Sequence, residues 1–111
     1  MKVLAVFGTR PEAIKLAPVI RQLKADSRFE VIGASTGQHR EMLHAVTERF
    51  GIRPNFDLDL MESGQSLSTF LARCVSGLDR VIAEVEPQAV IVQGDTTSAL
   101  AGAIAGFHRR V

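Results

Sequence analysis

The stretch MKVLAVFGTRPEAIK, Met1–Lys15, decides the architecture. Lys2–Phe7 is a continuous apolar, β-branched run that Gly8 closes. A strand with one wet face would alternate apolar and polar residues. An unbroken run of this length reads instead as a strand buried on both faces, the mark of a parallel sheet covered by helices. A helix follows at once over Pro11–Ala25, with Leu16, Val19, Ile20 and Leu23 at i, i+3, i+4 and i+7 on one face. Thr9 and Glu12 have capping-box spacing at its start, and Pro11 suits a first turn, where its missing N–H costs nothing. Pro18 removes one helical hydrogen bond and predicts a kink.

The alternation continues outward from that unit. Phe29–Ser35 reads as a second strand, and Gln38–Phe50 as a helix carrying Met42, Leu43, Val46 and Phe50 on one side, stopped by Gly51. Phe56–Leu60 alternates apolar and acidic residues, as a short half-exposed strand would, and Ser63–Gln65 is a turn. Ser66–Glu86 is the clearest helix. Its stripe of Leu67, Phe70, Leu71, Cys74, Val75, Leu78, Val81, Ile82 and Val85 runs up to the stop at Pro87. Ala89–Gln93 is another short apolar strand. Asp95–His108 is a helix apolar nearly all round, which predicts burial; its small residues Ala99, Gly102, Ala103 and Gly106 would permit close approach to a sheet. The order β-α-β-α-(β)-α-β-α implies parallel strands with right-handed crossovers, a doubly wound, Rossmann-like α/β sheet.

Composition bounds the function. The chain has 111 residues, 46% hydrophobic and 23% charged, which fits one ordinary globular domain and excludes a disordered or collagen-like chain. Thirteen Lys and Arg against 12 Asp and Glu give a net charge of +1 with no basic cluster, so no nucleic acid or anionic membrane is called for as partner. One cysteine excludes an intrachain disulfide framework and Cys-based zinc motifs, and no two histidines have metal-ligand spacing, so no metal is expected. No apolar run reaches the ~20 residues needed to span a bilayer. Val3–Phe7 is too short for a signal peptide, and Arg10, Glu12 and Lys15 interrupt it, so a cytoplasmic location is expected.

Ligands of open α/β sheets bind beyond the carboxyl ends of the strands. Gly8–Glu12, Thr36–His39 and Gly94–Thr97 should converge there, each following a strand and opening a helix. In the first, Gly8 allows a tight turn, the helix N-terminus supplies N–H groups and a positive dipole, and Arg10 adds a fixed charge: an anion site. The plainer alternative is a helix cap with Arg10 in solvent. Neither G-x-G-x-x-G nor a P-loop is present, which disfavours NAD or ATP binding by those motifs. Asp95 is the acid–base candidate, with helix N-capping as its competing role. His39, at a helix start, is either a ligand donor or a surface residue; His44 reads as surface and His108 as a favourable cation at a helix end. Cys74 lies on the apolar stripe as a buried hydrophobe, and Glu84 and Glu86 form a solvated helix end.

Together, Met1–Leu4 with Phe7–Lys15, Thr36–Leu43 and Gly94–Ser98 resemble the non-hydrolysing UDP-N-acetylglucosamine 2-epimerases of bacteria, collinearly along the whole chain. The resemblance implies an isomerase that interconverts UDP-N-acetylglucosamine and UDP-N-acetylmannosamine. It implies a GT-B architecture of two Rossmann-like domains with the active site between them, neither nicotinamide nor an essential metal, a homodimeric parent, and a role in polysaccharide biosynthesis. Residues 1–111 would be an incomplete N-terminal Rossmann-like domain, with the C-terminal domain outside this chain. The implied chemistry eliminates UDP to leave a bound 2-acetamidoglucal, then adds UDP back with protonation on the opposite face of C2. Carried onto this sequence, Arg10 faces the diphosphate, Asp95 is a catalytic acid–base group, and Gly8, Thr9 and Pro11 shape the loop. Gln38 and His39 match a segment that some bacterial members use near a second, regulatory substrate site; Glu41 and Gly64 depart from that pattern, which can carry an amide and an arginine there.

The residues Phe107–Val111 read as a helix end followed by the start of another strand, which would pair beside Ala89–Gln93. The chain is therefore expected to be the front part of a longer protein and, alone, catalytically inert. The alternatives are a hydrolysing 2-epimerase that releases free N-acetylmannosamine, a non-catalytic nucleotide-sugar-binding module, and a ligand-free interaction domain. The last lacks the acidic cluster at the strand ends on which small signalling domains of this fold depend.

Overall fold

The computed structural model describes residues 1–111, apart from the side chain of Arg40. The elements are β1 (Lys2–Phe7), α1 (Arg10–Lys24), β2 (Glu30–Ser35), α2 (Arg40–Phe50), β3 (Phe56–Asp57), α3 (Leu67–Val85), β4 (Ala89–Ile91) and α4 (Thr97–His108). The strands form one parallel sheet in the order β3-β2-β1-β4. β1 is central: Leu4 lies in register with Ile32 on one side and Val90 on the other.

The unbroken apolar run of β1 has its cause in two cores. Leu4 and Val6 point into a cluster with Phe70, Cys74, Leu78, Val81 and Ile82 of α3 and Ala101 and Ala105 of α4. Ala5 and Phe7 point the other way, against Ala13, Leu16, Ala17 and Ile20 of α1 and Leu43 of α2. Burying each large aliphatic or aromatic side chain there stabilises the fold by roughly 1.5–3 kcal/mol. α4 comes close to the sheet because a Cβ on Gly102 would lie 2.7 Å from Val92 Cγ1, and one on Gly106 3.4 Å from Val90 Cγ2.

Element identities follow the sequence reading, and several details differ. α1 runs through Pro18 without a break, and Pro18 is exposed on the solvent side of the helix. Val19 and Met42, assigned to buried faces by periodicity, are exposed, because each lies at the edge of its stripe. Leu67 is 71% exposed as the first residue of α3. Only Phe56–Asp57 pairs as β3, although the N–H groups of Leu58 and Leu60 still donate to the carbonyls of Ser35 and Thr36. β4 ends at Ile91, short of Gln93. α4 starts at Thr97, and it is not buried all round: Leu100, Ala103 and Phe107 are exposed, Phe107 by 79%, because the sheet and α3 cover only part of its circumference. A bidentate pair, Arg109 Nε and Nη2 to Asp79 Oδ1 and Oδ2 at 2.6 Å each, ties the end of α4 to α3. Among the described residues no helix is long and apolar enough to cross a membrane.

Candidate functional site

β1, β2 and β4 are parallel, so their carboxyl ends share one edge of the sheet. The segments Gly8–Glu12, Thr36–His39 and Gly94–Thr97 meet there, as the sequence predicts, and hydrogen bonds lace them together. The backbone N–H of His39 donates to the Gly8 carbonyl at 2.9 Å, joining the first segment to the second.

The first segment is organised by Glu12. The capping box with Thr9 is present, and Pro11 sits in the first turn of α1. The Glu12 carboxylate, 1% exposed, does more than close that box. Its Oε2 accepts from Gly8 N at 2.9 Å, Thr9 N at 2.7 Å and Thr9 Oγ1 at 2.8 Å, while Thr96 Oγ1 donates to its Oε1. The acid therefore binds the β1 loop to the β4 loop. It also takes up the Gly8 and Thr9 N–H groups, as the helix-cap alternative has it, and they are closed to an anion; Arg10 remains as an exposed cation at the lip.

The second and third segments meet through hydroxyls. Thr36 Oγ1 lies 2.7 Å from Ser98 Oγ, and Ser98 donates to Gln38 Oε1 at 2.8 Å. Thr36 and Ser98 are fully buried beneath the end of β1. Gly8 is required for this contact, since a Cβ there would fall 2.2 Å from each hydroxyl oxygen. Gly94, with φ +90, makes the turn that leads out of the β4 segment.

Asp95 does not cap α4. Thr96 does, its hydroxyl accepting from Ala99 N at 3.2 Å. Asp95 is left exposed, without a hydrogen-bond or ion-pair partner among the described residues, one position before the cap. Arg10 opens α1 and Asp95 precedes α4, and the bond from Thr96 to Glu12 holds these two loops together. His39 stands at the N-cap position of α2 with its ring exposed and not used for capping. Gln38 and His39 line a cleft of about 390 Å³ with Gly37 and Asp59. A larger hollow of about 740 Å³ lies between α2 and the residues before β3, lined by Ser35, His44, Arg53 and Asp57, with neither Arg10 nor Asp95 in its wall.

The sequence places Thr36 and Thr96 in the converging loops but assigns neither of them, nor Ser98, a role. Thr96 and Ser98 carry only the ordinary signal of hydroxyl residues at a helix start. Among the described residues, no three His, Cys, Asp or Glu are grouped to hold a metal ion. Cys74 is buried in the α3 core away from this edge, and burial pushes its thiol pKa up to about 12. Among the described residues the edge offers an exposed cation at Arg10, an exposed carboxylate at Asp95, further exposed carboxylates at Glu41 and Asp59 in the cleft, and the Gln38 carboxamide: groups able to bind a polar ligand and to move a proton beside it.

Comparison with known proteins gives this edge its relatives. The family model described as UDP-N-acetylglucosamine 2-epimerase matches residues 21–111. The UDP-N-acetylglucosamine 2-epimerases of Yersinia pestis and of Escherichia coli strain K12 are each 49% identical over 111 residues, which is 100% of this chain and 30% of theirs. The crystal structure of the UDP-GlcNAc 2-epimerase from Neisseria meningitidis bound to UDP-GlcNAc superposes with a TM-score of 0.95 at 43% identity, covering 100% of this chain and 30% of that one. The chain thus spans about 30% of the length of the curated relatives it matches.

Proposed function

Because this chain belongs to the UDP-N-acetylglucosamine 2-epimerase family, we propose that it forms the N-terminal part of a non-hydrolysing enzyme that interconverts UDP-N-acetylglucosamine and UDP-N-acetylmannosamine. The observation that carries this reading is the identity of 49% along all 111 residues. A second domain closing over that edge would complete a GT-B cleft. The proposal includes a homodimeric, cytoplasmic enzyme serving polysaccharide synthesis.

The C2 proton of the sugar is not adjacent to a carbonyl, so direct abstraction is unfavourable. Elimination avoids the difficulty. The C1–O bond breaks with its electron pair leaving on the UDP oxygen, the C2 proton is removed, and a C1–C2 double bond forms. Re-addition of UDP at C1 with proton delivery to the other face of C2 gives the epimer. Arg10 and the positive end of α1 would stabilise the departing diphosphate. Asp95, exposed and free of structural hydrogen bonds among the described residues, is available as an acid–base group. Gln38 and His39 would contact substrate from the β2 side, with Gly8, Thr9 and Pro11 shaping the loop.

The test is to incubate the complete gene product, and separately the 111-residue chain, with UDP-N-acetylglucosamine in D2O and follow C2 by proton NMR. Deuterium at C2 and UDP-N-acetylmannosamine should appear with the complete protein and not with the chain alone. Free N-acetylmannosamine as the product would reject the non-hydrolysing reaction, and robust exchange by the chain alone would reject its dependence on a second domain.

A further inference from the structure

Asp95 and Thr96 are adjacent, and both residue types make good helix N-caps. The cap of α4 falls on Thr96, with φ −80 and ψ 164, and its hydroxyl oxygen accepts from Ala99 N at 3.2 Å. The same hydroxyl donates its single proton to Glu12 Oε1, and that direction is fixed because a carboxylate only accepts. A cap at this place therefore has to accept and donate at once, and an aspartate cannot donate to a carboxylate. Glu12 is itself held in place: it is 1% exposed, and its Oε2 accepts from Gly8 N, Thr9 N and Thr9 Oγ1. The β4 loop lies against its stem, since a Cβ on Gly94 would stand 4.0 Å from Glu12 Cγ.

Moving the cap back by one residue would change the local structure in a definite way. Position 96 would pass from extended to helical backbone, and the Asp95 carboxylate would turn inward to accept from the first-turn N–H groups of α4. A carboxylate so engaged is no longer an exposed group. We propose that Thr96, held by Glu12, is a positioning residue for Asp95: the pair fixes the N-cap of α4 at 96 and thereby keeps the Asp95 carboxylate out of the helix, exposed at the carboxyl edge of the sheet. Glu12 acts through Thr96, and Thr96 through Asp95. The cap register stands on the hydrogen bonds alone; the acid–base use of Asp95 rests on the 2-epimerase reading.

Two measurements on the chain test the cap register. The ¹³C shifts of Cα and Cβ at position 96 should report extended backbone in the wild type and in Thr96→Ser, and helical backbone in Thr96→Val. Asp95→Ala should leave the urea midpoint of the wild type unchanged and lower it in the Thr96→Val background, where Asp95 has become the cap. An extended position 96 in Thr96→Val, or the same effect of Asp95→Ala in both backgrounds, overturns the proposal. A lowered midpoint for Asp95→Ala alone does so too, without Thr96→Val having to fold.

Proton exchange at C2 by the complete enzyme tests the consequence. Thr96→Val should lower kcat for exchange by about 10²-fold, the scale of an ångström-sized misplacement, with KM for UDP-N-acetylglucosamine changed far less. Thr96→Ser should keep the wild-type rate. In the Asp95→Asn background, Thr96→Val should slow exchange no further. An equal factor in both backgrounds means that Thr96 supports the fold and not Asp95, which overturns the positioning role. Wild-type exchange by Asp95→Asn overturns the acid–base role of Asp95 in the 2-epimerase reading and the catalytic half of the proposal with it, while the cap register stands or falls on the chain measurements.

Discussion

Thr96 donates its hydroxyl to the carboxylate of Glu12 across 84 positions of sequence, and the same hydroxyl oxygen accepts from Ala99 N. One side chain thus caps α4 and clasps the start of α1. Arg10 and Asp95 each stand within two positions of this clasp, so their common placement depends on it.

Glu12→Gln replaces one acceptor oxygen with a donor facing other donors. It should lower stability by about 2–4 kcal/mol, the scale of a buried charged acceptor left mismatched. Thr96→Val should cost about 1–2 kcal/mol through loss of cap and clasp, and Thr96→Ser should be nearly silent. Urea midpoints at constant m-value measure all three. A Glu12→Gln midpoint equal to wild type would remove the clasp from the account.

Gly8→Ala brings a methyl group to 2.2 Å from both Thr36 Oγ1 and Ser98 Oγ, where nothing but buried packing surrounds it. The expected loss is about 2–3 kcal/mol or failure to fold. Gly64→Ala is the contrast: its Cβ meets open space, and only a φ of +77 opposes it, at about 1 kcal/mol. Thermal denaturation of the two variants should rank them in that order.

Asp95→Asn in the complete enzyme should reduce C2 proton exchange by about 10²–10⁴-fold, the range for loss of a positioned acid–base group. Arg10→Ala should act chiefly on the step that separates UDP, seen as slower positional exchange of the diphosphate oxygens. Wild-type exchange in Asp95→Asn would transfer the acid–base role to another residue.

Cys74 has a folded-state pKa of about 12, above the ordinary thiol value of ~8.5, because burial penalises its thiolate. Its contribution to stability is whole below the unfolded pKa and lost as pH rises toward the folded one. Native protein at pH 8 should resist a thiol-labelling reagent, urea-unfolded protein should label at once, and Cys74→Ser should flatten the decline in stability between pH 8.5 and 11. Fast labelling without denaturant would contradict burial of this thiol.

The Arg109 guanidinium holds the Asp79 carboxyl below its usual range. A depressed folded pKa stabilises above the unfolded value and is lost as pH falls through the folded one. Asp79→Asn should therefore lose less melting temperature on acidification than wild type, starting from a slightly lower value at pH 7. Added salt should narrow the difference, since both partners are exposed.

Local pattern made most of the fold legible. Lys2–Phe7 declared a strand buried on both faces, and the α3 stripe from Phe70 to Val85 declared its buried side. Periodicity names a face without naming what lies across from it, which is why Val19, Met42 and Leu67 were assigned to the interior and stand outside. The site was legible to the same depth. Thr9 and Glu12 are three apart and form the expected box, but the partner of Glu12's other oxygen is Thr96, beyond the reach of any spacing rule. The choice of cap has the same origin. Asp95 and Thr96 are both good N-caps, yet only the threonine can also donate to an acid, so Glu12 decides between them.

The central position of β1 governs the order in which the molecule is assembled. Through Val3, β1 pairs on one flank with Val31 and on the other with Ala89, two neighbours that leave the ribosome at different times. Until Ala89 and the seven residues after it emerge, one flank of β1 is bare and the acid at position 12 has three of its four hydrogen bonds. Closing the sheet and joining the β1 and β4 loops are thus both late events, and a nascent chain arrested before residue 89 carries neither.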